Sequence, residues 1–435
     1  MRGGFVIFAL LGLVSGSFGR KGFGPGEQEW GYVKVRPYAN MFWWLYYTTA
    51  KVNSYYDRPL LIWLQGGPGA SSTSFGNFEE LGPLDTDLNP RNHTWVKNYN
   101  VLFIDNPVGT GFSYVERLSA YATTNKQIAD DLVACMKGFY QQQPNFRNVS
   151  TYILTESYGG KMGAEFALVW DRAQRIGTIN SNLKGVALGD AWISPIDSVM
   201  TWAPFLLQTG MVDTEGYKII DAAAQETKRM VETGQWNKAT QLWAHTENVI
   251  DNQTHGIDFY NILTPQSYHT HKERSFSLEP ESMYQRFVNI QSYSLDDLMN
   301  GPVKEALGVN VTHGEHSGTV FVNLQEDFMK PVIDIVNQLL DKTNLKVFVI
   351  TGQLDLIVDT PGTLLWVEKL KWKGAFEWKN SSRDPLVSQS NLIEGYNKNH
   401  VNFGMYWVNR AGHMVPKDNP DGMNVILEHL TSNAK

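Results

Sequence analysis

Cysteine is almost missing from this chain. Cys135 is the only one in 435 residues, so no disulfide can close within it. It sits in the helical pattern 128–140 among Leu132 and Met136, the setting of a small core residue rather than an exposed, electropositive nucleophile. Long basic runs are missing too. Lys and Arg number 37 against 44 Asp and Glu, for a net charge of −7, which excludes the footprint of a nucleic-acid-binding protein. Beyond the N-terminus no apolar run is long enough to span a bilayer, and no internal repeat or low-complexity tract is present. The mild acidity is compatible with an acidic compartment.

What is there belongs to a large globular protein. Apolar residues make up 42% and aromatic residues 12%, enough for one oversized core or a domain carrying an insertion. The first residues read as a secretory signal: Arg2, an apolar run over 5–14, then small residues through Ser15, Gly16, Ser17 and Gly19. Such a run is too short for a membrane span, and cleavage near 16–19 is expected. Five N-x-S/T sequons, at Asn92, Asn148, Asn252, Asn310 and Asn380, fit the same route. The expectation is a secreted or lysosomal glycoprotein.

The chain is organised around Ser157. An apolar, β-prone run (152–154) leads into Glu156-Ser157-Tyr158-Gly159-Gly160, and a helix-compatible run starts near Lys161. A serine on a sharp strand-to-helix turn is the nucleophile elbow of α/β-hydrolases, although Thr155 stands at the first position of the usual G-x-S-x-G. Continuous apolar runs at 60–64, 101–105 and 345–350 read as strands buried on both faces. With strands at 151–154, 184–188 and 403–408, and helices near 125–142, 161–175, 326–341, 360–370 and 419–430, they imply a largely parallel sheet covered by helices. Two further β segments, 30–36 and 41–48, precede them. The βα alternation lapses between 196 and 323, where helices are expected at 214–232, 235–246 and 295–307, with a polar loop around 265–285. The expected architecture is therefore an α/β-hydrolase core (20–195 and 324–435) with an inserted, mainly helical cap (196–323).

A serine nucleophile needs a base, and the base needs a carboxylate to orient it. Asp355, in Gly352-Gln353-Leu354-Asp355, follows the buried strand ending at Ile350. His413, in Gly412-His413-Met414-Val415-Pro416, follows the strand ending near Val408. Both leave carboxyl ends of strands, where open α/β sheets place their sites, and the order Ser…Asp…His is that of α/β-hydrolases. The oxyanion hole is expected from the backbone N–H of Tyr158 and that of Gly67 in the glycine loop. Asp355 as a helix cap and His413 as a loop histidine are the bland alternatives.

Five stretches together, 63–69 (Trp-Leu-Gln-Gly-Gly-Pro-Gly), 80–83, 106–114, 156–160 and 412–416, resemble the serine carboxypeptidase family. Gln65 and the stretch 352–358 resemble its retinoid-inducible branch in particular. The resemblance runs from about residue 28 to the C-terminus. It implies removal of single residues from peptide C-termini, usually at acidic pH, with no metal or organic cofactor. It also implies that Gln65, Gly66, Glu80 and Glu156 hold the substrate carboxylate, the two glutamates sharing a proton. Two close carboxyls resist joint ionisation, so one can donate a hydrogen bond. Glu79 beside Glu80 leaves that position open by one, and Met414 would line the leaving-residue pocket or simply pack.

Three positions depart from the family pattern: Gln65 for the usual Asn, Thr155 for the usual Gly, and Ala70 where many members have Cys. An esterase or acyltransferase on the same triad, or a secreted binding protein that lost turnover, stay as alternatives. The partners expected are peptide or protein C-termini, with no nucleic acid, no membrane span, and a homodimer through the cap face by analogy only.

Overall fold

The computed structural model describes residues 20–265 and 293–432. The expected signal segment and most of the polar loop around 265–285 lie outside the described residues. An 11-stranded sheet organises the rest. Six strands form its parallel centre: β4 (Asn100–Ile104), β3 (Leu60–Leu64), β6 (Thr151–Glu156), β7 (Leu183–Gly189), β8 (Lys346–Gly352) and β11 (Phe403–Val408), in that spatial order. Antiparallel strands extend both sides. β1 (Gln28–Arg36) and β2 (Ala39–Tyr46) lie beyond β4, with β5 (Tyr114–Val115) beside β2; β10 (Ile393–His400) and β9 (Asp384–Val387) lie beyond β11.

Every residue of β2, β3, β4 and β6 is buried, as continuous apolar runs demand when helices cover both faces. One cover is formed by α1 (Asn125–Gln142) and α2 (Tyr158–Arg175), which pack on each other. Cys135 is fully buried in α1 among core residues, and burial pushes its thiol upward. On the other face a second apolar cluster includes Phe103, Leu154, Phe348 and Tyr406 with the C-terminal helix Pro420–Thr431.

Between β7 and β8 the chain is helical where described: α3 (Pro195–Gln208), α4 (Thr214–Glu232) and α5 (Trp236–Thr254) precede shorter segments. The helix expected at 295–307 is broken, because Gly301 adopts a non-helical conformation (φ −101°, ψ −107°) just before Pro302. The helix expected at 326–341 is two helices, Ser317–Phe328 and Ile333–Lys342, separated around Pro331, whose ring cannot continue a helix. Among the described residues no helix is long and apolar enough to cross a membrane.

Candidate active site

The site lies at the carboxyl ends of the central strands. β6 ends at Glu156 and α2 begins at Tyr158, so Ser157 alone makes the turn, at φ 60°, ψ −130°. The helix starts earlier than the sequence pattern indicates. A positive φ is strained for a non-glycine residue and is held only where the surroundings over-determine it. Here the Ser157 N–H donates to the Gly189 carbonyl (3.1 Å), while the Ser157 carbonyl accepts from Trp192 N–H (2.9 Å). Close packing demands the glycines behind it. A Cβ on Gly159 would stand 2.4 Å from the Leu64 carbonyl oxygen, and one on Gly163 2.4 Å from Thr155 Cγ2. Gly163 thus vacates the volume into which Thr155 projects, and Thr155 Oγ1 donates to the Ala187 carbonyl (3.0 Å).

His413 and Asp355 meet although 58 positions separate them: His413 Nδ1 lies 2.8 Å from Asp355 Oδ2, with both side chains buried. His413 Nε2 has no hydrogen-bond partner among the described residues, and His413 lines one cleft with Ser157, Gln65, Gly66, Gly67, Glu156, Tyr260 and Met414. The glycine loop reaches Ser157 directly. A Cβ on Gly66 would lie 2.6 Å from Ser157 Cβ and 3.0 Å from Tyr158 N, and Gly67 has φ 103°. Tyr158, in the first turn of α2, has an N–H with no acceptor in its own helix.

Beside the serine is a buried acid pair. Glu80, on the π-helix Ser72–Leu81, and Glu156 are both buried. Gln65 Nε2 donates to Glu156 Oε1 (2.6 Å), and Trp63 Nε1 donates to Gln65 Oε1 (2.7 Å). Burial raises the Glu80 carboxyl to about 7 despite hydrogen bonding to Glu156 and the nearby Lys417. Burial first, then repulsion by Glu80, holds the Glu156 carboxyl well above the usual carboxylate range. Glu79 turns outward and pairs with Lys417 at 3.0 Å, so of the two adjacent glutamates it is Glu80 that faces Glu156.

Two parts of this arrangement escape a reading of the sequence. The stretch 259–262, from the segment between β7 and β8, splints the two loops. The Phe259 carbonyl accepts from Leu356 and Ile357 N–H (both 3.0 Å), Ile262 N–H donates to the Leu354 carbonyl (3.0 Å), and the Tyr260 carbonyl accepts from His413 N–H (2.7 Å). The Tyr260 ring stands edge-on to the His413 imidazole, centroids 5.2 Å apart. Nothing in its local sequence singles Tyr260 out. The second part is Asp190, fully buried at the end of β7.

A third cluster supports Tyr158 from below. Its hydroxyl donates to Asp327 Oδ2 (2.9 Å), which also pairs with the buried Lys161 Nζ (2.7 Å), and its ring stacks on Phe328. Burial lowers the Lys161 ammonium to about 8, though Asp327 opposes the shift.

Comparison with known proteins agrees with this architecture. Retinoid-inducible serine carboxypeptidase from Rattus norvegicus is 45% identical over 424 residues, covering 95% of this chain and 93% of the relative. Its Homo sapiens counterpart is 43% identical, with coverage of 95% and 93%. Serine carboxypeptidase-like 51 from Arabidopsis thaliana is 39% identical, with coverage of 92% and 91%. Among solved structures, a prohormone-processing carboxypeptidase from Saccharomyces cerevisiae superposes with a TM-score of 0.79 over 93% of this chain and 91% of that one; at 22% identity it speaks for the α/β-hydrolase fold. Residues 20–433 match the family described as serine carboxypeptidase, and the chain belongs to that family.

Proposed function

We propose that this protein removes single residues from peptides with a free C-terminus, and that the buried Glu80–Glu156 pair selects for that terminus. The pair beside Ser157 is the observation that carries the reading. A protonated carboxyl in an apolar pocket donates a hydrogen bond to the substrate carboxylate, whereas an ordinary ionised glutamate would repel it. Gln65 supplies a second donor group and Gly66 lets the substrate approach. Gln65 reaches Glu156 on its longer stem, which accommodates the departure from the family's Asn. Met414 lines the pocket of the leaving residue.

In this reading Ser157 Oγ attacks the carbonyl carbon of the last peptide bond as His413 Nε2 takes its proton. Asp355 holds the Nδ1–H and stabilises the imidazolium. The N–H groups of Gly67 and Tyr158 receive the developing oxyanion. His413 then gives its proton to the departing amino group, leaving an acyl ester on Ser157 that water hydrolyses by the same steps reversed. The pair takes on charge as pH rises past about 7, so turnover is favoured on the acidic side. We place the cap at 196–323, between core segments 20–195 and 324–435. The secretory route is supported by the exposure of all five sequon asparagines; the choice between secretion and the lysosome, and a homodimer, rest on analogy.

The test is release of free amino acids from N-blocked dipeptides, with Ser157→Ala as control. Release from free acids that vanishes in the mutant, and is much slower from C-terminally amidated peptides, is expected. Equal hydrolysis of amides and acids would remove the role given to Glu80 and Glu156. It would redirect the reading to ester or acyl-transfer chemistry.

A further inference from the structure

The Asp355 carboxylate has a buried acidic neighbour that the triad does not account for. Asp190 follows β7 directly, and its backbone N–H donates to the Ile350 carbonyl of the adjacent strand (2.8 Å). Its Oδ1 accepts the Gly352 N–H (2.8 Å), and the Gly352 carbonyl in turn accepts from the Asp355 N–H (3.4 Å). One carboxyl oxygen of Asp190 is thereby fixed to the loop that carries Asp355. No N–H or O–H of another residue reaches the other, Oδ2, among the described residues. The Asp355 carboxylate is the nearest acidic neighbour acting on the Asp190 side chain, on the loop to which Oδ1 is tied. Two acceptors cannot bond unless one carries a proton.

Resting on the triad reading above, we propose that Asp190 is a positioning residue: its carboxyl, in the acid form, donates an O–H hydrogen bond to Asp355 and fixes the rotamer in which Asp355 meets His413 Nδ1.

The surroundings keep the proton on Asp190 rather than on Asp355. Asp190 is fully buried, and Asp355, Asp418 and Glu156 act on it as acids, while His413 shares its cavity. Burial first and Asp355 second hold its carboxyl well above the usual range. Asp355, by contrast, has the imidazole N–H and the Val358 N–H (3.2 Å) as donors. A carboxylic acid held neutral so that it can donate is a known device for buried sites. Glu156, Asp190 and His413 share one small cavity with Leu154, Ile350 and Met423, so one member of each acid pair adjoins a mostly apolar space.

The proposal separates the Asn variant from the Ala variant. Asp190→Asn keeps both bonds, its Oδ1 accepting from Gly352 and its amide donating to Asp355, so kcat within about 3-fold of wild type is expected. Asp190→Ala leaves Asp355 unsupported, and a loss in kcat of about 10- to 100-fold, the scale of removed supporting partners, with little change in KM, is expected. Equal losses in both variants, or none in Asp190→Ala, would overturn the proposal. A second readout needs no turnover: the infrared difference between wild type and Asp190→Asn at neutral pH should contain a protonated carboxyl C=O stretch. Glu80 and Glu156 are common to both proteins and cancel. Absence of that band from folded protein overturns the proposal, whereas an inactive wild type that retains the band would count only against the reaction assigned to Ser157.

Discussion

Glu80 and Glu156 bury their carboxyl groups together, and Glu156, the residue before Ser157, also accepts the Gln65 amide. The Trp63 indole holds Gln65 in place beside the pair. A Cβ on Gly76 would lie 2.3 Å from that indole nitrogen, so the π-helix that carries Glu80 can approach only because residue 76 lacks a side chain.

If the pair holds the substrate carboxylate as proposed, binding should depend on pH with a definite sign. Both carboxyls are raised, Glu80 to about 7, so both are protonated on the acidic side and charge appears as pH increases. KM for free-acid peptides should therefore rise through about pH 7, while amidated peptides show no such increase. Glu80→Gln, which stays neutral, should flatten the dependence. Steady-state kinetics from about pH 4.5 to 8.5, a range bracketing that ionisation, checks this, and a KM that falls with pH contradicts it.

In the proposed mechanism Asp355 sets which imidazole nitrogen carries the proton. Asp355→Asn presents a side chain that can turn its amide toward Nδ1 and leave the hydrogen on Nε2, the wrong tautomer for accepting the serine proton. A loss in kcat on the order of 10³- to 10⁴-fold is expected, with KM little altered and the fold unchanged by circular dichroism. A loss confined to KM would mean that Asp355 acts on binding.

Thr155 and Gly163 should be energetically coupled. Gly163→Ala adds a methyl group against Thr155 Cγ2 and should destabilise by about 1–3 kcal/mol as an overpacked core does, despite the better helix propensity of alanine. In a Thr155→Ala background the same change should be neutral or stabilising. Denaturant unfolding of the four proteins gives the coupling; additive effects would mean that the elbow relaxes without cost.

The Lys161–Asp327 pair is fully desolvated on the lysine side. Asp327→Asn leaves a buried ammonium without its counter-ion and should cost about 3–5 kcal/mol. Lys161→Met combined with Asp327→Leu should cost less than that single change. Thermal unfolding distinguishes the two, and a double variant less stable than Asp327→Asn would show that the pair is net favourable.

The fold was legible where one interaction dominates. Leu60–Leu64 and Phe403–Val408 are strands buried by near-continuous apolar side chains, and both ends agree with the sequence reading. Ser157, Asp355 and His413 were legible because each follows such a strand. Breaks at Gly301-Pro302 and Pro331 had a visible signal that apolar periodicity outweighed. β9 and β10 did not: Asn397, Lys398 and Asn399 carry no strand pattern, and pairing with β11 decides their conformation. Asp190 carries no local signal at all, since its chemistry comes from Asp355, which the β7–β8 pairing brings alongside.

Residues 259–262 give the cap a meaning for protein engineering. Lids on hydrolases invite exchange, as parts that tune access while the machinery beneath stays whole. Here such an exchange at 196 and 323 would also remove the carbonyls of Phe259 and Tyr260, to which the loops of Asp355 and His413 are tied. A chimera that swaps the whole segment therefore starts with its acid and base unmoored. One that retains 259–262 and replaces the helices before it inherits a working frame.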